Sequence, residues 1–217
     1  LVTGAGTGIG KAIAVDLANA GATVLTCGRR RDLLDQTISS FPDSTKGKAY
    51  SVDLTDPFAT EKFAEATKAD YGVIDILVNN AAGPPGGPLL ANVLSDFEAP
   101  FKRHLHAAHT LTQLLAPGME AEGYGRIIQI ISTSVKEPIP NIGLSNTLRG
   151  AMASWAKTLS RELAPCITIN NVLPGFTDTD RLGSLASSIQ ERTGKSLEEV
   201  QSGWLGQVPI ERLINPL

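Results

Sequence analysis

A cluster of glycines stands near the start of the chain, in the segment Thr3-Gly4-Ala5-Gly6-Thr7-Gly8-Ile9-Gly10. The segment follows a short apolar strand and leads into an amphipathic helix, which is the context in which such glycines bind phosphates. Gly4 permits a sharp turn, Gly8 lets the backbone approach a pyrophosphate, and Gly10 lets the helix pack closely on the strand. The free N–H groups and the positive end of the helix dipole then face the phosphates. The spacing therefore predicts a dinucleotide site, although a tight turn without a ligand has the same composition.

Three consecutive arginines, Arg29 to Arg31, follow the glycines at the distance where a nucleotide-binding chain contacts the adenosine ribose. A chain that binds NAD carries an Asp or Glu there, which binds the ribose 2′-hydroxyl. Guanidinium groups instead pair well with a 2′-phosphate. Arg29 and Arg30 therefore predict NADP(H) rather than NAD(H), and the alternative is that they form a solvated helix start.

Apolar strands alternate with amphipathic helices along the chain, which predicts a single-domain α/β fold over residues 1–217 with a Rossmann-type, doubly wound parallel sheet flanked by helices. We predict a first strand that ends at Thr3 and further strands at residues 23–27, 49–52, 74–78, 126–131 and 167–173. Asp56 and Pro57 mark a helix start, and long helices are predicted at 93–115 and 145–163. Residues 179–207 are predicted as a polar, helical lid interrupted by Gly183, Gly194 and Gly203.

The composition is that of an ordinary globular protein and excludes several classes of function. The chain has 217 residues, of which 42% are hydrophobic and 19% charged, and its net charge is −3. This charge gives no attraction for nucleic acid or an anionic membrane, and no apolar run is long enough for a membrane helix. Cys27 and Cys166 have no metal-ligand spacing, so we expect two buried thiols in a cytoplasmic protein and no metal site. Both chain ends are expected to be incomplete.

The glycine spacing, Thr-Gly-x-x-x-Gly-x-Gly, resembles that of the short-chain dehydrogenases/reductases, in particular their 3-oxoacyl-ACP reductase-like members. Further matching segments are Asp53-Leu54-Thr55, Asn79-Asn80-Ala81 with Ala82 in place of a Gly, Gly125-Arg126-Ile127-Ile128, and Pro174-Gly175 with Thr179. The resemblance covers essentially the whole chain. It implies, together with the arginines, a cofactor site formed by Gly4, Gly6, Thr7, Gly8, Ile9, Gly10, Arg29, Arg30, Asp53, Leu54, Asn80, Ala81, Ala82, Arg149, Pro174, Gly175, Thr177 and Thr179.

The sequence departs from the family pattern at the catalytic positions. In the family a Ser polarises the substrate carbonyl, a Tyr transfers the proton, a Lys lowers the Tyr pKa and an Asn completes a proton relay. Matching the segments residue by residue assigns these roles to Ser132, Ser145, Arg149 and His104. A serine hydroxyl is a far weaker acid than a phenol, whose pKa is near 10, and an arginine does not shuttle protons. His104 titrates near neutral pH and is therefore a candidate acid, unless it is a surface or subunit-interface histidine.

These departures leave four functions open. The resemblance implies an oxidoreductase that interconverts a small-molecule carbonyl and an alcohol with NADP(H), with His104 or an ordered water as the altered acid. The alternatives are a homologue that binds the dinucleotide without hydride transfer, a halohydrin dehalogenase-like lyase, and an unrelated small-molecule binding protein. Those lyases share the Arg but keep the Tyr and have lost the glycine turn, so this chain differs from them twice. The resemblance also implies a homodimer or homotetramer built on the two long helices.

Overall fold

The computed structural model describes residues 1–216, and its centre is a parallel sheet of six strands in the order β3-β2-β1-β4-β5-β6. The strands are β1 (Val2–Thr3), β2 (Val24–Gly28), β3 (Gly47–Ser51), β4 (Ile76–Asn79), β5 (Gly125–Ile130) and β6 (Ile167–Val172). This order confirms the predicted doubly wound, Rossmann-type sheet. Each predicted strand is present, with bounds that differ from the prediction by one or two residues.

The helices pack on both faces of the sheet. Within the described residues the α-helices are α1 (Gly8–Asn19), α2 (Arg31–Ile38), α3 (Pro57–Tyr71), α4 (Leu94–Phe101), α5 (Ala107–Ala121), α6 (Gly143–Leu159), α7 (Asp180–Thr193) and α8 (Leu197–Leu205). None of these helices, within residues 1–216, has the length and apolarity needed to cross a membrane.

Local sequence explains where several of these helices begin. Asp56 caps α3 because its Oδ1 accepts a hydrogen bond from the N–H of Phe58 at 2.9 Å, and Pro57 occupies the first helical position. Both residues satisfy or remove N–H groups that a helix start leaves without partners. Thr179 caps α7 in the same way, with its Oγ1 accepting from the N–H of Leu182 at 3.4 Å. The predicted start of α3 is therefore confirmed.

The core consists of two apolar clusters, one on each face of the sheet. Leu77 of β4 packs with Ile127 and Leu111 in one cluster, whereas its neighbour Val78 packs with Val2 in the other. Successive strand residues point to opposite faces, so a strand covered on both sides must be apolar at nearly every position. This explains why β4 is apolar at Ile76, Leu77 and Val78, and the pairing of Val2 with Val78 places the carboxyl ends of β1 and β4 side by side.

The long helix predicted at 93–115 is present as a continuous helical stretch, but it is not a regular α-helix throughout. α4 ends at Phe101, a π-helical turn spans Lys102–His106, and α5 then continues beyond Pro117 to Ala121. Pro100 has no N–H to donate, so the regular ladder of hydrogen bonds is broken just before this turn. The other long helix begins at Gly143 and ends at Leu159, earlier at both ends than predicted.

Two smaller expectations also need correction. Gly183 and Gly203 do not interrupt the segment after β6, because they lie inside α7 and α8, where they cost helix stability without ending the helix. Of the three predicted glycines, Gly194 alone ends a helix, with a positive φ of 73°. Cys27 is buried as expected, and burial raises the pKa of its thiol, whereas Cys166 is only half-buried.

Candidate active site

The site lies where the strand order reverses, between β1 and β4. The chain leaves β1 toward β2 on one side and leaves β4 toward β5 on the other, which opens a crevice at the carboxyl ends of the two strands. Asn80, directly after β4, lines this crevice and is bonded to the glycine turn. Its Nδ2 donates to the carbonyl of Gly4 at 3.2 Å, and its backbone N–H donates to Thr3 Oγ1 at 2.9 Å. The glycine turn is thus held in position before any ligand binds.

Three glycines of the turn have distinct geometric roles. Gly4 and Gly8 have φ values of 60° and 53°, a region that side chains disfavour. Gly10 has ordinary dihedral angles, but a Cβ there would lie 2.1 Å from the Gly4 carbonyl oxygen. Gly10 therefore permits close packing of α1 on the turn, as the spacing predicted. A Cβ on Gly8 would lie 3.2 Å from Thr179, so the turn faces the start of α7.

A cavity of about 400 Å³ opens beside the turn, a volume typical of small-molecule sites. Of the predicted cofactor residues only Gly10 does not line it. The residues that do are Gly4, Gly6, Thr7, Gly8, Ile9, Arg29, Arg30, Asp53, Leu54, Asn80, Ala81, Ala82, Arg149, Pro174, Gly175, Thr177 and Thr179. Motifs dispersed over the whole sequence thus converge on one cavity.

The end of the cavity beside β2 and β3 is cationic. The exposed side chains of Arg29 and Arg30 line it, and no described residue hydrogen-bonds to either guanidinium group. Asp53 faces them as a firmly ionised carboxylate. Its Oδ1 accepts from the N–H of Thr55 at 3.0 Å, and this bond, with the charges of Arg29 and Arg103, lowers the pKa of Asp53.

The opposite end of the cavity holds three of the four predicted catalytic residues. Ser132 follows β5, and its Oγ accepts from the N–H of Ser134 at 3.1 Å, which leaves the hydroxyl proton free to donate. Ser145, in the first turn of α6, lines the cavity without a hydrogen-bond partner for its hydroxyl among the described residues. Arg149, one turn later, is buried, and its Nη1 donates to the Ile130 carbonyl at 2.7 Å. Burial, and then the charge of Arg181, lowers the pKa of Arg149 to about 10.

His104 is not brought into this cavity. It lies in the π-helical turn, only 5% exposed, with its Nε2 3.0 Å from the carbonyl oxygen of Ala82. Because a carbonyl only accepts, Nε2 carries the proton. Burial, and then the charge of Arg149, lowers the pKa of His104 to about 3, so the ring is neutral at physiological pH. This geometry favours a positioning residue that holds the segment after β4, and the predicted role as proton donor stays a prediction.

Sequence reasoning missed two further arginines that line the cavity. Arg103 precedes His104, and Arg181 follows Thr179 on α7, where it donates a hydrogen bond to the carbonyl of Pro84. Neither arginine belongs to a motif, so only its proximity in the chain to His104 or Thr179 could have indicated it. The apolar wall beside Ser145 was also missed, and it consists of Ile142, Leu185, Ile189 and Trp204.

Fold and cavity together define a dinucleotide-binding α/β protein. The sequence profile of the short chain dehydrogenase family matches residues 1–190. The 3-oxoacyl-[acyl-carrier-protein] reductase of Escherichia coli is 33% identical over 216 residues, which make up 98% of this chain and 82% of the relative. The chain therefore belongs to the short-chain dehydrogenase family, and the predicted activity class, an NAD(P)-dependent oxidoreductase, is confirmed.

Solved structures give the same result. A variant of the actinorhodin polyketide ketoreductase with NADPH superimposes with a TM-score of 0.91 at 28% identity, over 99% of this chain and 84% of that chain. The L-sorbose reductase from Gluconobacter frateurii, complexed with NADPH and L-sorbose, superimposes with a TM-score of 0.90 at 26% identity, over 99% and 83%.

Proposed function

We propose that this protein reduces a small-molecule carbonyl with NADPH, or oxidises the corresponding alcohol, with Ser132, Ser145 and Arg149 at the positions that carry Ser, Tyr and Lys in the family. The observation that supports this most directly is the convergence of these three side chains with the glycine turn in one cavity.

The described residues fit NADP(H). The glycine turn offers a backbone cradle at a helix start for the pyrophosphate. Arg29 and Arg30 offer two guanidinium groups without partners for the 2′-phosphate, and these arginines stand directly after β2, where an acidic residue would select the 2′-hydroxyl. Five arginines and two aspartates line the cavity, so its net charge favours an anionic cofactor. The NADPH in the two solved relatives is consistent with this choice.

The side chains at the other end can activate a carbonyl without the usual tyrosine. Bound NADPH supplies the hydride that goes to the carbonyl carbon. Ser132 and Ser145 each donate a hydrogen bond to the carbonyl oxygen, and the fixed charge of Arg149 stabilises the negative charge that develops there. Arg149 remains protonated near neutral pH, because its pKa is about 10. Since neither serine is acidic enough to ionise, we infer that Ser145 passes a proton from water to the oxygen.

The loss of the phenol also supports a second candidate, a homologue that binds NADPH but does not transfer hydride. Ser145 is the observation in its favour, because general acid catalysis typically contributes a factor of about 100 to 10,000 in rate. The intact glycine turn and the two free arginines support NADPH binding and are no evidence for hydride transfer. Binding and turnover must therefore be measured separately.

The test has two stages. NADPH binding is measured by quenching of tryptophan fluorescence, and then a panel of ketones and aldehydes is screened for oxidation of the reduced nicotinamide. We expect saturable binding and measurable turnover, with kcat lowered about tenfold or more in Ser145→Ala. Ser154→Ala is the matched control, because Ser154 is an exposed serine on the same helix. Saturable binding without turnover on any carbonyl would establish the second candidate instead.

Restoring the family residues gives a gain-of-function test. The double variant Ser145→Tyr with Arg149→Lys supplies a phenol and a lysine that can lower its pKa. We expect kcat to rise with unchanged affinity for NADPH. If the rate falls in a variant that still binds NADPH, the cavity is shaped for the serine and the assignment of Ser145 to the tyrosine position is refuted.

We further propose that residues 179–207 form a lid over the substrate. α7 and α8 pack mainly on each other, around Ala186, Val200 and Trp204, and the Trp204 ring stacks on Phe176 with centroids 5.5 Å apart. This small separate cluster can move without disturbing the sheet. A change in Trp204 emission on substrate addition, retained in Trp155→Phe and lost in Trp204→Phe, tests the closure.

We also propose that the protein is a homodimer or homotetramer in which α5 and α6 contact their copies. On these helices the indole N–H of Trp155 donates to His109 Nδ1 at 3.3 Å, and His109 is exposed. Such an aromatic pair at the surface is typical of an interface. Light scattering of the protein and of Trp155→Glu tests this proposal, and a monomeric parent protein would contradict it.

A further inference from the structure

Two guanidinium groups face the same glycine, Gly83, which lines the cavity. A Cβ built on Gly83 would lie 3.8 Å from Arg149 Nη2 and 3.9 Å from both Nε and Nη2 of Arg181. The two side chains come from different elements, since Arg149 is on α6 and Arg181 is on α7. Two positive charges are therefore directed at one small volume. The same cavity holds the hydroxyls of Ser132 and Ser145, which are proposed to bind the substrate carbonyl.

Neither group has an acidic partner within the part of the chain that the structure describes. The ion pairs found there involve other residues, and the only hydrogen bond of Arg149 is from Nη1 to Ile130. The opposite edge of Arg149, formed by Nε and Nη2, has no partner, although the residue is only 8% exposed and Nε is fully buried. Because Nε is enclosed by protein atoms, Nη2, which faces Gly83, is the donor that Arg149 offers to a ligand in the cavity.

A buried cation without a counter-ion is costly unless a ligand supplies the negative charge. The effect is visible in Arg149, whose pKa is lowered by burial and by the charge of Arg181. The wall beside the pair is apolar, with Ile142, Leu185 and Trp204 in the same cavity. The local chemistry thus combines an anion site with an apolar surface.

We propose that Arg149 and Arg181 bind the carboxylate of the substrate, so that the protein acts on oxo acids with an apolar body rather than on neutral ketones. This inference rests on the proposed function, because it assigns the substrate class of the same site. The phosphates of the cofactor are the competing source of negative charge. Arg149 is bonded to the end of β5, whereas Arg181 lies two residues after Thr179, which the glycine turn faces, so NADPH binding must be measured in the Arg181 variants as well.

The experiment compares acids with their own esters. The probes are 2-oxo-4-phenylbutanoate and 4-oxopentanoate, each with its ethyl ester, which differ in the separation of carbonyl and carboxylate. We expect kcat/KM to favour the acid of at least one pair, and Arg181→Gln to lower the acid-to-ester ratio about tenfold or more through KM. Arg181→Lys keeps the charge without the fork and should give an intermediate ratio. Arg192→Gln, an exposed arginine near the other end of α7, is the matched control and should leave the ratio unchanged.

A binding measurement keeps this inference separate from the proposed function. Calorimetric titration of the NADP⁺-saturated protein with each acid should give a Kd that is weakened in Arg181→Gln and unaffected in Arg192→Gln. If acids bind in this way but no carbonyl is reduced, the carboxylate site stands and the reductase activity fails. If esters are reduced as well as acids and Arg181→Gln leaves the ratio unchanged, the reductase stands and the carboxylate site is refuted. If Arg181→Gln weakens NADPH binding instead, the arginine pair serves the cofactor and the inference is also refuted.

Discussion

Replacement of Arg29 by Asp should abolish or reverse the preference for NADPH over NADH. Arg29 lines the cavity at the end of β2, is exposed, and has no partner among the described residues. A hydrogen bond between charged groups contributes about 1.5–3 kcal/mol, and the exposure of Arg29 favours the lower end of that range. Repulsion between the new carboxylate and a 2′-phosphate adds to the loss. We therefore expect NADPH affinity to fall by about 2 kcal/mol, roughly thirtyfold in Kd, and NADH affinity to change by less than about threefold.

The assay is fluorescence titration of each protein with NADPH and with NADH at low and high salt. Arg31→Ala is the matched control. Arg31 lies two residues after Arg29 and does not line the cavity. Its Nε donates to the Asp35 carboxylate at 2.8 Å. The NADPH preference of the parent protein should shrink as salt rises, because exposed charges are screened over about 10 Å at 0.1 M salt and about 3 Å at 1 M. Equal losses for both cofactors in Arg29→Asp would refute the assignment of Arg29 to the 2′-phosphate.

Two predictions concern stability. Gly10→Ala places a methyl group 2.1 Å from the Gly4 oxygen, so it should cost about 3 kcal/mol or more of unfolding free energy in urea and abolish NADPH binding. Gly150→Ala, on α6 with nothing within 4 Å, is its control and should instead stabilise by about 0.5–1 kcal/mol. Asp56→Ala removes the cap of α3 and should cost about 1 kcal/mol while kcat/KM stays unchanged, since α3 does not line the cavity. A loss of activity without a loss of stability in Asp56→Ala would contradict that separation.

Much of the fold could be predicted because its signals are local. A few neighbouring residues suffice to predict the glycine turn, the helix start at Asp56-Pro57 and the apolar strand β4. The right-handed connection of parallel strands then leaves few ways to order the sheet. The π-helical turn after Pro100 was not predicted, because the helical pattern of apolar residues runs through it.

The site could be predicted only where a motif carries it. Ser132, Ser145 and Arg149 were assigned from the resemblance to the family, and they do line one cavity. The pairing of Arg181 with Gly83 joins residues that are far apart in sequence and depends on how α7 folds back over the end of β4. No periodicity encodes such a contact. The burial of His104 likewise depends on the carbonyl of Ala82, which lies in another element.

His104 provides a further test, because a buried, neutral histidine and a proton-donating histidine predict different effects of pH. The buried, neutral ring has a pKa of about 3 in the folded protein, against an ordinary value of 6.5 when unfolded. Between these values the unfolded chain binds the extra proton, so stability is complete above pH 6.5 and falls as the pH falls toward 3. At pH 5 the expected loss from this residue is about 2 kcal/mol relative to pH 7. His104→Asn should remove that part of the loss, whereas His106→Asn, at an exposed position in the same turn, should retain it.

The same variants decide whether His104 donates the proton. A neutral histidine outside the cavity predicts that the shape of the pH dependence of kcat/KM between pH 6 and 8 is the same in the parent protein, His104→Asn and His106→Asn. A catalytic histidine predicts a titration in that range that disappears only in His104→Asn. If that titration is found, the ring must reach the substrate and exchange protons there. The buried position of His104 is then not its reactive conformation. If it is absent, water relayed through Ser145 remains the source of the proton.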